Sequence, residues 1–157
     1  MFRAPYLISI WALYESGVID LTNYIQEKER ALIALSDIRG RSLQDQLEKY
    51  YTGVLKVAMP IPPQTFSALN DIQLLRNAIA HRNGLIDNLD ESRKARINRI
   101  VESRADIEIV DSILSFSNAF LSYALDVATT ALAAIDALCA ERYNTINLIE
   151  MPNGRDT

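Results

Sequence analysis

The sequence predicts an all-α protein, and three observations lead to that prediction. The 157-residue chain is 49% hydrophobic and 23% charged, which is typical of one globular domain with a buried core. Glycine and proline occur only five times each, so breaks in regular structure are few. Between them, apolar side chains recur in steps of three and four, the period of an amphipathic helix. We therefore expect an antiparallel bundle of four main helices plus a short one.

The first two helices are predicted from their start signals. The first runs from about Pro5 to the 28–35 region, because proline suits a first turn, where its missing N–H needs no partner. The second covers about residues 42–57. Ser42 is followed three residues later by Asp45, a spacing that resembles a capping box.

The third and fourth helices are predicted from their ends and their periodicity. The third starts near residue 64 and ends near 81 or 82, where Asn83-Gly84 supplies a left-handed stop. A shorter helix covers about residues 91–103.

The last helix is the longest, from about residue 111 to residue 142, and its apolar positions form one continuous seam. Residues 107–110 alternate too briefly to predict a strand. We assign residues 5–142 to a single helical domain and residues 143–157, which show no periodicity, to a C-terminal tail.

The amino-acid composition argues against several classes of functional site. The one cysteine, Cys139, excludes an intramolecular disulfide framework. The one histidine, His81, makes a His/Cys metal cluster within a single chain an unfavourable interpretation. There is no glycine-rich phosphate loop either. We therefore expect neither a metal nor a cofactor.

Residues 1–21 contain acidic side chains and no small-residue cleavage site, so we expect no secretory signal. The longest apolar stretch, 113–139, is interrupted by Asn118, Asp126 and Asp136, which argues against a membrane span. The expectation is a cytoplasmic protein with no membrane partner.

Charge is unevenly distributed along the chain. The formal net charge is −4, but residues 76–104 carry a net +3 and residues 105–157 a net −6. Two interpretations of the positive segment stay open: the solvated face of a short helix, or a surface that attracts phosphates beside a site. The basic side chains considered for RNA binding are Arg82, Arg93, Lys94, Arg96 and Arg99.

Arg76 falls inside the apolar stripe of the third helix. At 100° per residue, four apolar residues lie with it within about a third of the circumference. A guanidinium keeps its charge, so Arg76 needs a carboxylate, a phosphate or a wet cleft. The four apolar residues are Leu69, Ile72, Leu75 and Ile79.

Glu15 is a candidate partner for Arg76, because it interrupts an apolar face of the first helix. One interpretation is a buried Glu15–Arg76 bridge that only sets the helix register. The other is that Glu15 orients Arg76 towards the phosphate of a ligand. The sequence leaves both open.

His81 lies five residues after Arg76, about 140° further round a regular helix, so the two would not share a face. Three arrangements could still bring them together. The helix end could re-aim the imidazole, the long arginine could reach across, or a second copy could complete the site about a two-fold axis.

The segment Leu74–Gly84, with the sequence LLRNAIAHRNG, resembles the motif helix of HEPN (higher eukaryotes and prokaryotes nucleotide-binding) domains. Ribonuclease members of that family carry an arginine, four to six residues, and then a histidine at the end of a bundle helix. A polar residue, commonly asparagine, often follows the arginine. Arg76, Asn77 and His81 match this pattern, and the resemblance extends more loosely over about residues 5–138.

The resemblance implies a metal-independent endoribonuclease that acts as a homodimer. The RNA 2′-hydroxyl would attack the neighbouring phosphate and leave a 2′,3′-cyclic phosphate and a 5′-hydroxyl. Two copies of His81 would act as base and acid, Arg76 would hold the phosphate, and Asn77 and Glu15 would support them. By analogy with the family, the protein would be a toxin with a cognate antitoxin, or a phage-defence component.

A second hypothesis belongs to a different class. The chain would be a catalytically inactive HEPN-like bundle that binds a partner protein or a nucleotide. Arg76 and Glu15 would then be structural, and His81 would be incidental.

Overall fold

The computed structural model of the chain describes residues 3–143. It confirms the predominantly helical character of the chain and adds a small sheet that the sequence analysis did not predict. The elements in chain order are α1 (Ala4–Glu29), α2 (Leu43–Lys49), α3 (Pro63–Arg82), α4 (Glu91–Glu102), β1 (Ile107–Val110), β2 (Ile113–Phe116) and α5 (Asn118–Tyr143).

The structure confirms the predicted starts of α2 and α4 and the predicted end of α3, and local hydrogen bonds explain them. The second helix is predicted to reach about residue 57, but α2 ends at Lys49. Ser42 caps α2, since its side chain accepts a hydrogen bond of 3.1 Å from the backbone N–H of Asp45. Asp90 caps α4 in the same way. Asn83 ends α3 in the left-handed region, with a φ of 52°.

The segment predicted as the second helix changes from an α-helix to a π-helix at Tyr50. α2 is followed by a π-helical turn over Tyr50–Val54, closed by a hydrogen bond of 3.0 Å from the N–H of Leu55 to the carbonyl of Tyr50. Tyr50 and Tyr51 are both fully buried. The Tyr51 hydroxyl lies 3.3 Å from the Thr22 hydroxyl on α1, and burial raises its pKa to about 12.

The predicted start of the last helix at residue 111 is wrong. Asp111 and Ser112 adopt left-handed φ values of 50° and 64°, which suit a tight hairpin turn between β1 and β2. The residues that follow alternate between exposed and buried, with Leu114 and Phe116 facing inward. This period of two is that of a strand, so α5 begins seven residues later than expected.

Contacts at the ends of α1, α3 and α5 give the relative directions of these helices. α1 and α5 run parallel, because Arg3 at the start of α1 donates to the carbonyl of Phe116, while Glu29 at its end binds Arg142. α3 runs in the opposite direction. Its C-terminal end lies beside β2, the strand that leads into α5, since the carbonyl of Gly84 accepts the N–H of Leu114 at 3.0 Å.

The last residues of α5 bind the end of α1. Tyr143 is the last residue of α5, and its hydroxyl donates to a Glu29 carboxylate oxygen at 2.6 Å. Hydrogen bonds from Arg142 and Tyr143 lower the pKa of Glu29. The rest of the predicted tail, residues 144–157, lies outside the described residues.

By length and composition α5 could cross a membrane, since its most apolar stretch has a mean hydropathy of 1.4. The core helix of a soluble protein passes the same test, and seven of its side chains are buried. The expectation that this stretch is not a membrane span, like that of a cytoplasmic location, stays a prediction.

Arg104 and Asp106 form an ion pair in the loop between α4 and β1, and Arg104 also contacts α5. Arg104 donates to both carboxylate oxygens of Asp106, at 2.8 and 2.7 Å. The guanidinium also lies over the ring of Tyr123, 3.9 Å from its centre. Hydrogen bonds from Arg104 lower the pKa of Asp106, and both side chains are less than a quarter exposed.

We expect Asp106→Asn to lower the free energy of unfolding by about 1–2 kcal/mol at pH 7. The folded-state pKa of Asp106 lies below its unfolded value, so the stabilisation is present above about pH 4 and is lost as the pH falls through the folded pKa. Urea unfolding at pH 7 and pH 3 should show the difference shrinking at the lower pH. As a control, Asp71→Asn removes a half-exposed pair with Arg96 and should cost less than about 0.5 kcal/mol.

We expect Ser112→Gly to stabilise the protein by about 0.5–1 kcal/mol, because Ser112 has a left-handed backbone that glycine adopts without a Cβ clash. Thermal unfolding measures the effect. Ser115→Gly, within β2, is the matched control and should destabilise the protein. A loss of stability in both variants would contradict the assigned turn geometry.

Candidate functional site

The C-terminal half of α3 positions the predicted site residues. The helix stays regular through Arg82, so the helix end does not re-aim the His81 side chain. Asn77 and His81 are one turn apart and lie on the same outward face. Arg76 lies about 100° away from Asn77 around the helix axis, which places it at the border of the buried face.

His81 lines a surface cavity of about 590 Å³ between α3 and α4, which we call the His81 cavity. The outward face of α3 forms its floor. Arg93 from α4 and the loop that precedes α4 form its other wall. His81 is exposed here, so the imidazole is open to solvent and to a ligand. The lining residues are Leu74, Asn77, Ala78, His81, Arg82, Asn88, Leu89, Asp90 and Arg93.

A second cavity, of about 510 Å³, continues along the same face of α3 towards the start of α2. We call it the Arg41 cavity. It shares Leu74 and Asn77 with the His81 cavity, so the two cavities adjoin along α3, and together they are called the α3 groove below. The remaining lining residues are Arg41, Ser42, Asp45, Ser67, Asn70, Asp71, Gln73 and Arg96.

Arg76 lines neither cavity and is connected to the groove through Asn77. Its Nη1 donates to the side-chain oxygen of Asn77 at 2.9 Å. Its Nε is buried and has no hydrogen-bond partner. A buried donor without an acceptor is unfavourable by about 1–3 kcal/mol, so Arg76 occupies its position at a cost in stability.

The expected Glu15–Arg76 pair does not form. Within residues 3–143, no ion pair or side-chain hydrogen bond joins the two. The buried face of α1 is centred on Trp11 and Tyr14, whereas Glu15 lies beside Ile19, which is 36% exposed. The predicted apolar surroundings of Glu15 are therefore partly solvent, and the interpretation as a buried bridge is wrong.

The predicted basic set divides into two groups. Arg82, Arg93 and Arg96 line the groove, whereas Lys94 and Arg99 line neither cavity. Two of the groove arginines also form ion pairs at 3.3 Å, Arg93 with Asp90 and Arg96 with Asp71, and these side chains are largely exposed. These side chains are solvated, as the first interpretation expects, and the attraction of phosphates to this surface stays a prediction.

Sequence reasoning missed several polar residues of the groove, and four of them show why. Asn70 and Gln73 form, with Asn77 and His81, a polar stripe in steps of three and four, and this signal could have been found on the helix wheel. Two further residues come from loops, so no periodicity could reveal them. They are Arg41 and Asn88.

The groove is mildly cationic. Its walls carry four guanidinium groups and three carboxylates, in addition to the imidazole. Among residues 3–143, no cluster of three or more histidine, cysteine, aspartate or glutamate side chains is arranged to hold a metal ion. The donors that face a ligand are therefore guanidinium, amide and imidazole N–H groups, which favour an anionic or hydrogen-bonding ligand.

No protein-family model, curated protein or solved structure matches this chain. The relation to HEPN domains consequently stays a prediction that rests on the motif and on the geometry above.

We expect Arg76→Met to leave stability unchanged or to raise it by up to about 1–3 kcal/mol, because methionine fills similar space without the unpaired buried Nε. Urea unfolding measures the change. The neighbouring Leu75, fully buried, provides the comparison, since Leu75→Ala should cost about 2–5 kcal/mol. A clear loss of stability in Arg76→Met would mean that Arg76 is a structural residue.

Proposed function

We propose that this protein is a HEPN-type endoribonuclease that cleaves RNA without a metal ion. The observation that carries the proposal is the Asn77 side chain, which binds the Arg76 guanidinium at 2.9 Å and lines the same cavity as His81. The three residues of the motif thus form one contiguous group.

The chemistry needs only these groups and the substrate. A base removes the proton of an RNA 2′-hydroxyl, the O2′–P bond forms, the P–O5′ bond breaks, and an acid protonates the leaving 5′-oxygen. Histidine can perform either proton transfer near neutral pH, and His81 is exposed in its cavity. DNA lacks the 2′-hydroxyl and is not a substrate in this scheme.

Arg76 supplies the positive charge for the phosphate. Among the described contacts only its Nη1 has an acceptor, and that acceptor is Asn77. The Nε is enclosed by the protein, so the Nη2 group is the donor available to phosphate oxygens on which charge develops in the transition state. Asn77 holds the guanidinium at the edge of the cavity and is assigned a positioning role.

The proposal includes a homodimer. One chain holds one histidine, whereas the reaction uses a base and an acid. Two α3 grooves that face each other about a two-fold axis would supply both imidazoles. The finer assignments belong to the same proposal: a HEPN-like bundle, a cytoplasmic location, and a toxin or phage-defence role with an antitoxin as partner.

A specific observation favours a second candidate function, that of a catalytically inactive protein-binding bundle. Three large apolar side chains are exposed on α1 and α5, two helices that pack side by side. The exposed fraction is 60% for Tyr6 and 69% for Leu13, both on α1, and 49% for Leu125 on α5. Apolar exposure of this kind is typical of a protein contact surface. Arg76 also lies outside both cavities, as expected if it does not meet a ligand.

Cleavage of single-stranded RNA in EDTA separates the two functions. We expect His81→Ala and Arg76→Ala each to lower the cleavage rate by a factor of about 10² to 10⁴. Wild-type products should carry 2′,3′-cyclic phosphate and 5′-hydroxyl ends, and an all-deoxy strand should stay intact. The exposed Arg99 lines neither cavity, so Arg99→Gln is the control and should cleave normally.

Two results would overturn the enzyme proposal. Equal cleavage by wild type and His81→Ala would identify a contaminating nuclease, and no cleavage by a folded wild-type protein would favour the binding bundle. Thermal unfolding must show that each variant is folded at the assay temperature, since a lost fold would mimic lost catalysis.

A further inference from the structure

The α3 groove is longer than the catalytic group requires. Its floor runs from Asn70 to His81, eleven residues along one helix face, or about 16 Å at 1.5 Å per residue. The motif residues occupy only the His81 end. The other end, the Arg41 cavity, extends past Asn77 and plays no part in the reaction described above.

The side chains that line the α3 groove favour a polar nucleic-acid strand as the ligand. Apart from the His81 imidazole, none of the side chains that line the two cavities is aromatic, so the Arg41 end of the groove offers no platform on which a base could stack. Amides from Asn70, Gln73, Asn77 and Asn88 form much of its surface. Amide groups both donate and accept hydrogen bonds, which suits the exposed edges of unstacked bases.

Each end of the groove carries guanidinium groups. Arg82 and Arg93 lie at the His81 end, and Arg41 and Arg96 lie at the other end. A single phosphate bound near His81 cannot occupy both ends. A strand with successive phosphates can, because its charges repeat along its length.

Arg41 is placed to receive a phosphate. Its backbone N–H donates to the Asp45 carboxylate at 2.8 Å, which holds the residue just before the start of α2. Its side chain is exposed and forms none of the ion pairs or hydrogen bonds of the described residues. Arg96 uses one nitrogen for Asp71, at 3.3 Å, and keeps its other donors for a ligand.

We propose that the Arg41 cavity is a second phosphate-binding subsite, in which Arg41 and Arg96 bind the backbone of single-stranded RNA next to the linkage held at Asn77 and His81. This inference rests on the proposed function, and it specifies the substrate as a single strand of several nucleotides. It also makes affinity depend on substrate length, since a dinucleotide does not reach Arg41.

The test measures binding of a fluorescent RNA hexamer and a dinucleotide, both fully 2′-O-methylated so that neither can be cleaved. For Arg41→Gln we expect hexamer affinity to fall about tenfold and dinucleotide affinity to stay unchanged. The slope of log Kd against log salt concentration for the hexamer should fall by about 0.7, the value for one lost phosphate contact.

Arg39→Gln is the matched control. Arg39 is exposed, lies two residues away and lines neither cavity, and the substitution makes the same change of charge. We expect it to alter hexamer affinity less than twofold. Unfolding temperatures of both variants show that neither substitution has disturbed the fold.

The outcomes separate this inference from the proposed function. Equal losses in Arg41→Gln and Arg39→Gln, or equal affinities of the wild type for hexamer and dinucleotide, would overturn the subsite even if RNA is cleaved. A length-dependent loss confined to Arg41→Gln would support the subsite even if the protein proves catalytically inactive, since no step of this assay requires cleavage.

Discussion

The regular helical period of α3 is the constraint on which the candidate site depends. Because the helix keeps its winding to Arg82, Asn77 and His81 face outward together, while Arg76 lies at the border of the core. The guanidinium reaches the outer face only through its hydrogen bond to Asn77. Asparagine is short enough to stay at the groove floor and can accept from arginine with its oxygen while its NH₂ group faces a ligand.

The walls of the groove come from packing and not from α3 itself. The chain turns back after Asn83, so that α4 packs against α3. This packing places Arg93 and Arg96 beside the outward face of α3. The cap at Ser42 fixes the start of α2 on the other side and brings Arg41 close. At the far end of α4, Arg104 binds Asp106 and lies over the aromatic rings of α5, which ties this wall to the core.

The parallel packing of α1 and α5 gives the fold its topology. The hairpin of β1 and β2 returns the chain to the start of α1, so α5 can run beside α1 in the same direction from Arg3 to Glu29. Arg142 and Tyr143 then close the far end on one carboxylate. This pairing leaves Tyr6 and Leu13 of α1 and Leu125 of α5 exposed.

The sequence by itself determined the helical class, most helix ends and the group of Arg76, Asn77 and His81, because caps, periodicity and i, i+4 spacing are local properties. It predicted a helix over Asp111–Ser117 wrongly, since the three apolar residues of this segment fit either period and the left-handed turn at Asp111 and Ser112 decided the outcome. Only the tertiary structure separated Glu15 from Arg76 and placed Arg41 on the groove. Which helix faces meet, and in which direction, depends on contacts distant in sequence, and no local pattern records them.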